Sequence, residues 1–444
     1  MEIIINKKKT LERIKPLHAV GCGPKSGMGG AADIDASELF REIGIPSCRL
    51  HDIEYPYGSN QYVDIHCIFP NFDADENDEH NYNFAATDKY ILAIKGVDAD
   101  VFYRLGESID HFGEKLYVRP PKDMHKWARI CEHIIRHYNQ GWANGLYLGI
   151  KHWEIWNEPE GRSMWCGTYP EFYELYSITA KHLKECFPDI MVGGYGCLGV
   201  YSEVRDHGHE RYNPTLFNRL IPFMEGFFDY IKKTEAPLDF FSWHIYTLSP
   251  EEVAAAAKFV RGYLDARGYE RTKSYLTELN YSYALRIRPT IHQHTEFPAD
   301  ILSAMILGQS APVDMIFYYD LGLRSWYNCV YFFDNMDGEL KKLNGFAPMK
   351  FFGDLYRLGT RMEAVYEENK GIYALAASDG ESIGVAIASR GFDGTLDVII
   401  DAKCATVTAQ SGSNPSTEQN ISLSNGKITL DVKKEEIYYI SYRK

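Results

Sequence analysis

The chain has 444 residues, 45% hydrophobic and 24% charged, a globular composition long enough for one large domain and a smaller one. Its formal charge of −14 argues against a nucleic-acid backbone or an anionic membrane as partner, and Lys7-Lys8-Lys9 is too short a basic run to reverse that. No stretch approaches the ~20 consecutive apolar residues of a spanning helix. At the N-terminus the apolar patch precedes the lysines, unlike a secretory signal. The nine cysteines lack CxxC or finger spacing. They read as reduced thiols in a cytoplasmic enzyme or binding protein.

In chain order, residues 1–5 read as an edge strand available to a sheet at the other end of the chain. Near-continuous apolar runs then predict strands at 18–24, 45–52, 101–108, 152–158, 190–196, 239–246, 273–281 and 313–320, the pattern of parallel strands buried on both faces. Helices are expected between them. Asp35 and Glu38 form a capping-box pattern, and Gly44 supplies the stop. Trp127, Ile130, Cys131, Ile134, Ile135 and Tyr138 share one helical face. Pro170 opens another helix carrying Phe172, Leu175, Tyr176, Leu183 and Phe187. Eight strands alternating with helices read as a (β/α)₈ barrel over residues 18–362. A doubly wound open sheet is the rival, but GCGPKSGMGG after the first strand lacks the GxGxxG order. From residue 363 to 444 the pattern becomes period-two, with turn signals at Asp379-Gly380 and Asn425-Gly426, and predicts a smaller accessory β-sandwich that residues 1–17 would join. Long stretches at 53–100 and 197–235 are expected to rim the barrel mouth and favour small substrates or chain ends.

The informative segment is His152-Trp153-Glu154-Ile155-Trp156-Asn157-Glu158-Pro159. An apolar strand ends in a polar pair, and proline then forbids continuation of the ladder, which places Glu158 at the barrel rim. Glu278 interrupts a second apolar strand, and a buried Glu is rare unless paired or functional. Two carboxylates converging at a barrel mouth suit glycosidic cleavage, one as proton donor and one as nucleophile or base. His244 and Tyr246, two residues apart, share a face, as do Arg49 and His51. A Tyr246 hydroxyl or the Arg49 guanidinium beside Glu278 would favour its ionised form, while His51 is a candidate for a sugar hydroxyl.

Taken in order along the strands, RLH, WNEP, HIY and TEL resemble glycoside hydrolase clan A, and family 39 of retaining, β-xylosidase-type glycosidases most closely. The resemblance covers residues 18 to about 362. It implies Glu158 as general acid/base, Asn157 as partner of the sugar 2-hydroxyl, Glu278 as nucleophile, and Arg49, His51, His244 and Tyr246 as substrate-site residues. The eighth strand departs from the family's xylosidases. Tyr318-Tyr319-Asp320-Leu321-Gly322-Leu323-Arg324-Ser325-Trp326 offers Tyr319 and Trp326 to the sugar, with Trp326 taking the stacking role, but no acidic pair follows. Arabinose, glucose or galactose therefore stand beside xylose as the sugar. A non-catalytic carbohydrate-binding barrel is the reading from another class. No metal or cofactor is expected: Asp73, Asp75, Asn77 and Asp78 lack a calcium loop's turn glycine, and His292 and His294 precede a helix-like stretch instead of ending a strand. An oligosaccharide or small glycoside is the expected partner, with homo-oligomerisation left open.

Overall fold

The computed structural model describes residues 1–24, 35–52, 63–205, 214–247, 249–280, 297–321, 333–334, 340–367, 370–411, 416–423 and 426–443. After a long first strand, β1 (Glu2–Arg13), the barrel is laid down as β2 (Ala19–Gly21), α1 (Ser37–Ile43), β3 (Ser47–Leu50), a short α2 (Ile65–Ile68), α3 (Ala85–Lys95) and β4 (Asp100–Leu105). It continues through α4 (Met124–Gln140), β5 (His152–Ile155), α5 (Tyr169–Cys186), β6 (Met191–Cys197), a short α6 (Tyr201–Val204) and α7 (Pro214–Thr234). It ends with β7 (Phe240–Tyr246), α8 (Pro250–Asp265), β8 (Lys273–Asn280), α9 (Phe297–Ser310) and β9 (Met315–Tyr318). Strands β2 to β9 pair in parallel in sequence order and close β9 onto β2. All eight expected strands are present. The two long stretches are less loop-like than expected, because α3 and α7 lie within them.

Side chains sort into layers. Ala19, Phe102, Phe240, Tyr275 and Phe317 fill the barrel bore, while Trp153, Ile155, Leu276, Ile316 and the apolar faces of the helices make the larger core between strands and helices. The apolar face of α4 is buried as its periodicity predicts. Thr168 and Glu171 form a reciprocal capping box at the start of α5, with proline in its first turn. The start of α1 differs from expectation. Asp35 accepts from the Ser37 amide at 2.8 Å, an Asx-type turn, and Ala36 stands at the cap without a side-chain bond. Gly44 ends that helix in the left-handed region, φ 77°.

Beyond β10 (Phe333–Asp334), β11 (Lys341–Lys342) and α10 (Phe346–Leu358), the chain forms an accessory β unit. Its strands are β12 (Thr360–Tyr366), β13 (Ile372–Ser378), β14 (Ser382–Ser389), β15 (Gly394–Ile399), β16 (Cys404–Ser411), β17 (Thr417–Ser422), β18 (Lys427–Val432) and β19 (Glu436–Arg443). With β1 they hydrogen-bond as one curled nine-stranded sheet, ordered β17-β16-β19-β14-β13-β12-β1-β15-β18. Its inner face encloses an apolar cluster that includes Ile3, Ile5, Val385, Val398, Leu430 and Ile440. Strand β1 occupies an interior place, antiparallel to β12 and parallel to β15, in place of the expected edge. The Asp379-Gly380 turn joins the neighbours β13 and β14. By contrast, β17 and β18 do not pair across the Asn425-Gly426 signal; they stand at opposite ends of the strand order, and Asn425 itself lies outside the described residues. A short turn signal cannot override the pairing that buries the alternate residues of β18 against β15. Among the described residues no helix is long and apolar enough to cross a membrane, and the cysteines are free thiols.

Candidate active site

Strand alternation alone would not deliver both carboxylates to the bore. On β5, His152 packs against Phe102 in the bore and Glu154 follows two residues on, while Trp153 and Ile155 face the helices. Trp156 should then point inward. It instead adopts φ 72° and packs outward against Trp127 and Trp165, with its indole N–H donating to Met164 O at 2.7 Å. That phase reset turns Asn157 inward, and Glu158 follows with φ 42°. Left-handed backbone at a bulky residue is costly and concentrates at functional sites. A close-packed glycine permits it: a Cβ on Gly106 would lie 2.9 Å from the Trp156 ring.

On β8, Tyr275 faces the bore and Leu276 the helices, so strict alternation would turn Glu278 outward. The register against β7 slips there. Trp243 pairs with Leu276, whereas His244 pairs with Glu278, leaving Thr277 as an extra residue. A bulge of this kind re-aims the next side chain, and Glu278 enters the mouth beside His244.

Arg49 is the hub. Fully buried on β3, it donates from Nε to Glu154 Oε2 at 2.7 Å, from Nη1 to Glu278 Oε1 at 2.8 Å and from Nη2 to Asn157 Oδ1 at 2.6 Å. Asn157 Nδ2 lies 3.0 Å from His51 Nε2, so both ends of the amide are oriented. Tyr246 donates to Glu278 Oε2 at 2.6 Å. His244 Nδ1 lies 2.7 Å from Glu158 Oε1 and 3.6 Å from Glu278 Oε2. Carboxylate oxygens of Glu158 and Glu278 lie within 4.8 Å of each other.

The two carboxyls differ in their surroundings. Burial raises Glu158 to about 7, with the nearby Asp52 charge adding and Arg49 opposing. Burial also raises Glu278, against which His244, Arg49 and the Tyr246 hydroxyl all favour its charged form. With Arg49 in direct contact, Glu278 is the one equipped to stay ionised, and Glu158 the one that holds a proton near neutrality. Burial drops His244 to about 4 and lowers His51 far below the usual range, so both imidazoles are neutral.

Of the expected residues, Arg49, His51, Asn157, Glu158, His244, Tyr246 and Glu278 converge in this network. Tyr319 sits at its margin, with its hydroxyl 3.3 Å from Asp52 Oδ2. Trp326, His292 and His294 lie outside the described residues. The calcium-like stretch is a series of Asx turns: Asp75 accepts from Asn77 N and Asp78 from His80 N, while Asp73 pairs with Lys122.

The model of glycosyl hydrolases family 39 matches residues 2–289. The chain belongs to that family. Over 213 residues it is 24% identical to a β-xylosidase of Geobacillus stearothermophilus, a match that spans 43% of this chain and 36% of that relative's length. Among solved structures, a glucosidase from Croceicoccus marinus superposes with a TM-score of 0.77 at 21% identity, covering 99% of this chain and 98% of that one. A family 39 enzyme from Xanthomonas axonopodis pv. citri does so with a TM-score of 0.69 at 15% identity, covering 99% and 96%. These likenesses show the shared fold.

Three residues of this family 39 chain went unnoticed as site candidates in the sequence reading. Glu154 is the fully buried partner of Arg49. Its signal was present, a Glu at an inward position of an apolar strand. Asp52 accepts from the Ile109 amide at 3.0 Å and lies near both His51 and Tyr319. Glu160 is buried two residues beyond Glu158, and burial raises it to about 8. One Glu160 oxygen accepts weakly from Leu198 N at 3.3 Å and the other has no partner.

Proposed function

We propose that the chain is a retaining glycoside hydrolase acting by double displacement on terminal sugars of small glycosides or oligosaccharides. The observation that carries this reading is the pair of converging, unequally supported carboxyls. An oxygen–oxygen approach within 4.8 Å supports the short carboxyl separation of retaining enzymes, ~5–5.5 Å, over the ~6.5–9.5 Å across which inverting enzymes place a water.

Glu278 attacks the anomeric carbon while Glu158 gives its proton to the departing oxygen, so a glycosyl–Glu278 ester forms and the aglycone leaves neutral. Glu158, now a carboxylate, takes a proton from water as that water attacks the same carbon, which frees the sugar with its configuration kept. Arg49 and Tyr246 hold the attacking carboxylate charged and aimed. Asn157, with its oxygen taken by Arg49 and one N–H directed at His51, keeps a second N–H for the sugar 2-hydroxyl.

Family membership and the β-xylosidase relative favour a β-xyloside as the sugar. The likeness to a solved glucosidase that covers nearly the whole chain supports a glucoside as the second reading. A panel of nitrophenyl glycosides separates the two, and NMR of the first-formed product anomer tests retention. Glu278→Ala should lower kcat by at least ~10⁴-fold with the fold intact. Substantial residual hydrolysis by that variant, or an inverted product, would overturn the assignment. Unchanged substrate with the parent enzyme after long incubation would favour a binding barrel. The free thiols fit a cytoplasmic compartment, which cell fractionation tests.

A further inference from the structure

The outer helices carry a second cluster of titratable groups, remote from the cleft. On α5, His182 and Cys186 stand four residues apart and therefore on one face. Glu132 on the neighbouring α4 meets them: His182 Nε2 lies 2.6 Å from Glu132 Oε2, and Cys186 Sγ lies 3.9 Å from His182 Nε2. A nitrogen, a sulfur and a carboxylate oxygen are thus gathered within 4.8 Å of one another. A tetrahedral zinc site with bonds of ~2.0–2.3 Å sets its ligand atoms about 3.3–3.8 Å apart. The thiol–imidazole pair is already near that spacing, and the carboxylate needs to retreat by less than an ångström.

Two further features suit a metal. Arg136, one helical turn on from Glu132, binds the other carboxylate oxygen, Oε1, at 2.6 Å and 2.7 Å. It thereby fixes the orientation of Glu132 and leaves Oε2 directed at His182, which is how outer partners hold a ligand. The cluster is also only partly covered, with the His182 side chain 27% and the Glu132 side chain 13% exposed, so an ion can enter and a water can complete its shell.

We propose that Glu132, His182 and Cys186 form a zinc-type metal site that clamps α4 to α5, with water as the fourth ligand. On binding, the Cys186 thiol releases its proton to solvent, and the Nε2 proton that His182 directs at Glu132 leaves that nitrogen, so that the bound imidazole carries its one proton on Nδ1. Thiolate and carboxylate then balance the dication. The thiolate selects Zn(II) or Co(II) over the oxygen-seeking Mg(II) and Ca(II). Cys186 ends α5, which runs antiparallel to the strands, so the site lies toward the end of the barrel opposite the Glu158 and Glu278 carboxyls and is independent of the hydrolase reading.

The test is titration of the chelator-treated full chain with Co(II) and, separately, Zn(II). Expected are one equivalent bound, a near-ultraviolet sulfur-to-cobalt charge-transfer band, a higher Tm with Zn(II) and no comparable response to Mg(II). Cys186→Ser and His182→Gln should each abolish the band while melting like the parent without metal, and Arg136→Gln should weaken binding by about 10–100-fold. Absence of a thiolate–cobalt band in the parent, or its persistence in Cys186→Ser, overturns the proposal.

Discussion

At the residue scale, the chemistry turns on how three acids in one small volume are kept unlike. Glu158 must carry a proton to serve as acid, so kcat/KM is expected to fall as pH rises through about 7, and to fall again on the acid side as Glu278 is protonated. Glu158→Gln should erase the alkaline limb, and its rate on substrates with good leaving groups should suffer far less than on poor ones. A pH–rate profile that keeps its alkaline limb in this variant would reassign the proton donor. Glu160 makes a different statement. Its folded value, about 8, stands above the ordinary 4.5. The folded state therefore binds the proton more tightly than the unfolded chain, and this stabilising contribution is complete below about 4.5 and is lost as pH rises toward about 8. Glu160→Gln, neutral at every pH, should thus gain on the parent across that window. The gain in thermal melts at pH 8 is expected to be on the order of 1 kcal/mol or more, with little difference at pH 4.

At the element scale, the site depends on two interruptions of regular strand geometry, the left-handed turn at Trp156–Glu158 and the Thr277 bulge. Gly196, φ 62°, lies against the first of these: its carbonyl accepts from the Glu158 amide at 2.9 Å. A Cβ at Gly196 would stand 2.8 Å from Asn157 Oδ1 and 3.2 Å from Arg49 Nη2. Gly196→Ala should therefore displace the amide and guanidinium together and lower kcat/KM by ~10²-fold, the scale expected for misplacement by about an ångström. Steady-state kinetics check it. Neither interruption was legible in the sequence. The near-continuous apolar runs located β5 and β8 correctly, yet strict strand alternation would have sent Glu278 toward the helices. What pointed to the carboxylates was their chemistry, charge set in apolar runs, and not their phase.

At the scale of the whole molecule, β1 ties the start of the chain to its end. It is a central strand of the nine-stranded sheet, with Ile3 and Ile5 buried in its core. Deleting residues 1–13 should leave β12 and β15 without their shared partner and expose apolar surface worth roughly 1.5–3 kcal/mol for each buried isoleucine. The expected result is insoluble protein or a lowered, broadened melt, and a deletion variant as soluble and stable as the parent would show that β1 is dispensable. The barrel was readable from local signals, because a strand buried on both faces and an amphipathic helix each announce themselves within about a dozen residues. The place of β1 was not, since its partners lie nearly 350 or more residues away.

The amino-acid sequence by itself determined the alternation of eight strands with helices, the strand ends that bear Glu158 and Glu278, and the family of the chain, all of which rest on short-range periodicity and short motifs. The tertiary structure decided which of those polar groups share a bond. Only closure of the barrel brings Arg49 to Glu154, Asn157 and Glu278 at once, and only the Arg49 and Tyr246 bonds made to Glu278 give two buried carboxyls their different ionisation. Hydrogen bonds and desolvation depend on distances between residues remote in the chain, and no local pattern encodes those.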